Sequence, residues 1–139
     1  MKLSTKGRYA ARAMLELASA YGTGPMRLRE IAQNQEISVR YLERMMNAMV
    51  TAGLVRSTRG QRGGFALSKS PNTILLSQVV QAAEGPLSIV ECVDDPEFCS
   101  RYEFCVTREI WEKLRAAVED VLNSFTLQDM VEMQQKKTG

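Results

Sequence analysis

The first twenty residues carry a helical rhythm. Ala10, Ala13, Met14, Leu17, Ala18 and Tyr21 recur at intervals of three and four, which predicts an amphipathic helix over 4–21 stopped by Gly22, Gly24 and Pro25. Its polar face carries Lys2, Lys6, Arg8 and Arg12 near the chain start, well placed to touch phosphates. A second, short helix is expected over 28–35. The turn 36–38 follows, and Ser38 can cap the next element. From Val39 the apolar positions Leu42, Met45, Met46, Met49 and Val50 predict a third helix, ended by Gly53 as its natural C-terminal residue. Its outward face shows Arg40, Tyr41, Glu43, Arg44 and Asn47. Two short helices joined by a three-residue turn, the second polar and basic at its start, have the arrangement of a helix-turn-helix.

Then the period changes. Residues 54–59 read as a strand, 60–64 as a glycine-rich hairpin tip and 65–68 as the returning strand. Arg56, Arg59 and Arg62 line this hairpin with guanidinium groups, as a wing would that lies along a nucleic-acid backbone or enters the minor groove. An ordinary hairpin with a basic tip is the plainer reading, and the adjoining helices weigh against it. A connecting helix follows at 77–83, ended by Gly85 and Pro86. A long apolar stripe then runs through Ile110, Trp111, Leu114, Ala117, Val118, Val121, Leu122 and Phe125, and its subset Trp111, Leu114, Val118, Val121, Phe125 has the spacing of a two-helix seam. A small winged domain cannot cover so much apolar surface, so this helix is expected to dimerise rather than pack on its own core. Thr126 with Asp129 resembles a capping box for a last helix through about Met133, and 134–139 should fray. The fold class expected is mainly α with a small β-wing. It divides into a winged helix-turn-helix head at 1–85, a cysteine-containing loop at 86–105 and a dimerisation helix with a C-terminal helix at 106–139.

Charge changes the picture more than composition does. The net charge of the 139 residues is only +2, yet residues 1–70 hold 12 lysines and arginines against 4 acidic residues, and the remainder holds 6 against 12. A basic head on an acidic body fits a module that binds a polyanion, such as double-stranded DNA, joined to one that must not; unevenly spread solvated charge is the bland reading. No window approaches the apolar run of a membrane span, and a soluble cytoplasmic protein is expected. With no histidine for acid-base work, no phosphate-binding glycine loop and no nucleophile beside a visible partner, an enzyme is not expected.

Cys92, Cys99 and Cys105 are the only cysteines, spaced C-x6-C-x5-C in an acidic stretch. Thiolates are the soft ligands that iron-sulfur clusters, zinc and copper(I) select. In a reducing compartment such a set more naturally binds metal, a cluster or an oxidant than forms a structural disulfide. Spacing alone leaves cluster, zinc and reversible thiol oxidation all open.

Several short motifs occur here in order: Gly7-Arg8-Tyr9, Ile37-Ser38, Tyr41-Leu42-Glu43, Gly53-Leu54-Val55, Arg59-Gly60, Gly63-Gly64 and Glu84-Gly85-Pro86. Together, over 1–129, they resemble the Rrf family of winged-helix transcription regulators. The resemblance implies a homodimer on a palindromic operator, most simply a repressor, read through positions matching Ser38, Arg40, Tyr41, Glu43 and Arg59. It also implies an iron-sulfur cluster, two-iron or four-iron, on Cys92, Cys99 and Cys105, and a role as a redox sensor. The alternative is a regulator without a cluster, controlled by thiol oxidation or, as in some members, by a protein partner. Three departures stand out. Arg40 replaces a small polar residue, Arg108 stands where a histidine ligand is usual in cluster regulators, and Arg8 stands where the nitric oxide sensors have an aspartate. The fourth ligand is left to an oxygen donor such as Asp94, Asp95, Glu97 or Glu103, to the other protomer, or to an exogenous group.

Overall fold

The computed structural model of the chain describes residues 3–139, so Lys2 lies outside the described residues. Seven helices and one hairpin follow in the order α1 (Thr5–Ser19), α2 (Leu28–Gln35), α3 (Val39–Thr51), β1 (Val55–Thr58), β2 (Gly64–Leu67), α4 (Leu76–Glu84), α5 (Glu91–Asp94), α6 (Val106–Asn123) and α7 (Leu127–Thr138). The first three helices form where the periodicity puts them. Apart from Tyr21, which lies past the end of α1, and Val50, both exposed, their apolar stripes converge on one core, in which Met14, Ile31, Leu42, Met46, Met49, Ile74, Val79 and Leu127 have almost no exposed surface. Removing such side chains from water stabilises the fold by about 1.5–3 kcal/mol each.

The turn between α2 and α3 is fixed at both ends. Glu36 takes the left-handed conformation (φ 55°, ψ 46°) that closes α2, and the Ser38 hydroxyl accepts the Tyr41 N–H at 3.2 Å to open α3. Antiparallel β1 and β2 pair Val55 with Leu67 and Thr58 with Gly64. Met26 extends the hairpin by exchanging backbone hydrogen bonds with Phe65, 2.9 and 2.7 Å long. Gly64 sits at φ 146°, and a Cβ there would run into the Met26 backbone; no other residue fits. The wing is thereby tied to the segment that enters α2.

Past α4 the structure departs from expectation in detail. The cysteine stretch is not featureless, because α5 and a 3-10 turn at Tyr102–Phe104 interrupt it. The Thr126 and Asp129 capping box is present with both of its bonds, at 3.0 and 2.9 Å. Helix α7 does not fray at 134 but runs to Thr138, where Lys136 and Lys137 complement the helix dipole in the last turn. Its Leu127 and Val131 return to the first core, and Leu75 bridges to Thr126. Helix α6 buries none of its residues. Val106, Ile110 and Val121 stand 70, 53 and 57% exposed, while Leu114, Val118 and Phe125 are half-buried. Of the five positions expected in the seam, Trp111 and Val121 are open, and Val106 and Ile110 join them. No helix among the described residues is long and apolar enough to cross a membrane.

Candidate nucleic-acid interface and cysteine segment

Burial of one face of α3 leaves the other free. Ser38, Arg40, Glu43 and Arg44 are exposed, and Tyr41 is half-buried. Tyr41 is held edge-on against Tyr9 of α1, with ring centroids 5.7 Å apart at 83°. Such pairing orients a ring as well as packing it. Lys6 of α1 lines a shallow hollow of about 210 Å³ together with Tyr41 and Arg44, so cations from two helices converge beside the phenol. Arg8 is exposed and donates to the Thr5 hydroxyl at 3.3 Å. Arg12 is used differently from expectation. Its guanidinium lies 5.3 Å from the Tyr9 ring and donates to the Gln35 backbone carbonyl and to the Gln35 side chain, closing the C-terminus of α2. Glu16 accepts from Gln35 at 2.7 Å and completes the brace.

Arg59 and Arg62 are exposed at the wing tip, and Arg27 donates to the Gln61 carbonyl to hold that tip. Arg56 lies on β1, where with Thr58 it lines a groove of about 510 Å³ against Tyr21, Pro25 and Phe65. Arg27, and the part that Tyr9 plays here, are not legible in the sequence. Tyr9 stands in the motif Gly7-Arg8-Tyr9 but lies beside its helix's apolar stripe, and Arg27 sits alone before α2, so no local pattern marks the partner of either.

The three thiols are distributed over the second segment. Cys92 sits on α5, Cys99 in the turns after it, and Cys105 at the N-cap of α6, each half-buried and free. Cys105 Sγ is 3.1 Å from the Thr107 hydroxyl. That hydroxyl and, after it, the Arg108 backbone N–H hold the Cys105 thiol below its ordinary value, as expected at a helix start. Cys105 is therefore expected to react fastest of the three with iodoacetamide near neutral pH; equal rates by mass spectrometry would show that these bonds do not activate it.

Arg108 is not a substitute ligand. Its guanidinium lies 3.9 Å from the Tyr102 ring centroid, donates to the Tyr102 carbonyl at 2.7 Å and pairs with Glu112 at 2.5 Å. Asp94 is likewise engaged, by Arg115 at 3.0 Å and Ser88 at 2.5 Å. Glu97 and Glu103 border an open depression with Cys99. Among the described residues no three cysteine or acidic side chains are gathered closely enough to hold a metal ion. By donor chemistry the cysteines fit a thiolate-held cluster. By arrangement they do not, because this conformation does not gather the three into one site.

Comparison with known proteins agrees across the chain. The family model Rrf2, described as iron-dependent transcriptional regulator, matches residues 3–133. The transcriptional regulator CymR of Bacillus subtilis is 42% identical over 130 residues, covering 94% of this chain and 89% of that one. Two solved structures superpose closely. One is CymR, the global cysteine regulator of B. subtilis, with TM-score 0.81, 40% identity, and 96% of this chain and 98% of that chain covered. The other is IscR of T. potens, with TM-score 0.83, 36% identity, and 100% and 92% covered. These named relatives are transcription regulators rather than enzymes, and their likeness extends to the hairpin, so the fold is a winged helix.

Proposed function

Because this chain belongs to the Rrf2 family of DNA-binding transcriptional regulators, we propose that it is a homodimeric repressor whose operator binding is set by the state of Cys92, Cys99 and Cys105. The observation that carries the reading is the placement of those thiols between α4, which packs on α1 and α3, and the uncovered helix α6. Anything that rearranges the segment acts on the head and on the dimer helix together. In a dimer, α3 of each protomer would enter successive major grooves about 34–36 Å apart, with Ser38, Arg40, Tyr41, Glu43 and Arg44 at the base edges and backbone. Arg56, Arg59 and Arg62 would follow the flanking groove, while Lys6 and Arg8 meet phosphates. Arg59→Ala should cost about 1–3 kcal/mol of operator binding by fluorescence anisotropy. Iron content and thiol reactivity should not change in that variant; a parallel loss would contradict this division of roles.

The input proposed first is an iron-sulfur cluster, supported by the soft donor set and by the iron-dependent description of the family. The segment would have to close from its present arrangement to hold it, and Arg108, its guanidinium engaged by Tyr102 and Glu112, would not be a ligand. A second reading, thiol oxidation without a cluster, is favoured by the lowered Cys105 pKa and by the lack, among the described residues, of three gathered donors. The deciding experiment is iron, sulfide and absorbance analysis of anaerobically purified protein, with operator binding before and after air. Iron and sulfide absent, with binding still lost in air, would select the thiol; binding indifferent to air would sink the cysteines as input.

A further inference from the structure

We propose that Glu84 and Gly7 form a clasp through which the state of the cysteine segment reaches the DNA-reading face; this rests on the reading above that the segment is the input. Glu84 is the last residue of α4 and half-buried. One of its carboxylate oxygens accepts the Ser4 N–H at 2.8 Å, across eighty residues of chain. The other lies over Gly7, where an added Cβ would sit 2.9 Å from it.

Helix α1 needs that carboxylate. Its first turn has no acidic residue, and Ser4 makes no side-chain cap, so the positive end of the helix finds its anion on α4 instead. Gly7 leaves the room, and it is buried there. The turn being held is the one that carries Lys6 and Arg8. Lys6 shares its hollow with Tyr41 and Arg44 of the recognition helix and with Ala83, the residue before Glu84.

On its other side the clasp adjoins the thiols' segment directly. Gly85 follows at φ 84°, ψ −170°, a conformation open in practice only to glycine, and Pro86 then leads into the stretch that holds Cys92. A shift of that stretch is delivered to the residue adjoining Glu84. With the carboxylate seated, the first turn of α1 is capped and Lys6 stands beside Tyr41. Without it, the turn loses its anion and frays, and its cations leave the interface. Glu84 is thus a positioning residue, acting on DNA through α1.

The test uses the fact that the chain's only thiols are in this segment. Operator affinity is measured for anaerobically purified protein and for the same protein after chelation and N-ethylmaleimide treatment. The wild-type ratio is expected on the order of 5 to 150, the usual span of coupling between sites. Glu84→Ala should bring it close to 1, and so should Gly7→Ala, which displaces the carboxylate without touching it and adds a better helix former. Glu84→Gln keeps the acceptor oxygen and should retain most of the ratio. In chelated, reduced protein both disrupting variants should exchange the Ser4 to Arg8 amides at least tenfold faster, a readout that needs neither DNA nor metal. Wild-type ratios in Glu84→Ala and Gly7→Ala overturn the clasp and leave the segment as input. A wild-type ratio of 1 removes the input itself, and the clasp with it.

Discussion

Glutamate at both Ile110 and Val121 should convert a dimer to a folded monomer and lower operator affinity about 100- to 10,000-fold, the avidity lost when two linked half-sites become one. The reasoning starts from α6, which buries none of its residues in its own chain. Both side chains are more than half exposed, so charge there costs the monomer's core almost nothing. The same charge placed in a seam between two copies is desolvated and faces its own symmetry mate, where like charges repel. Sedimentation velocity and anisotropy on one operator measure the two effects together. A double variant that stays dimeric and binds as wild type would mean that α6 is not the seam.

Met46→Ala on the underside of α3 should cost about 2–5 kcal/mol as the lost side chain leaves a cavity behind it. Met46 has no exposed surface and shares its core with Met14, Leu42 and Met49. For a chain of this size the loss corresponds to a drop of about 4–20 °C in melting temperature. Calorimetry checks it, and a fall under 1 kcal/mol would show that neighbouring methionines refill the space. DNA binding by the fraction that remains folded should be little changed, because Met46 points away from the reading face.

The helices of the head were legible because each writes its burial into a period. Leu42, Met45, Met46 and Met49 could face only one way, and they do. The wing was legible from its glycines, and the last helix from Thr126 and Asp129. What the sequence could not show were interactions joining distant positions. Arg12 looked like a free cation by its face on α1, and it closes the end of α2 instead. Tyr9 and Glu84 stand in short motifs and Arg27 in none, but the partners of all three lie across the fold, where no local pattern points to them. The cysteine segment was legible as chemistry and not as geometry. Donor type is fixed by residue identity, but the approach of three sulfurs depends on how α5 and a 3-10 turn bend the chain between them.

Helix α7 ties the stability of the reading head to a distant stretch of chain. Leu127 and Val131 fill the same core as Met14, Ile74 and Val79, and Leu127 donates its N–H to the Ile74 carbonyl across the fold. Helix α7 packs on α1, which in turn packs on α3. A cut after α6 would therefore spare every residue of the reading face and still loosen it, because the helix that orients Tyr41 would lose part of its own support.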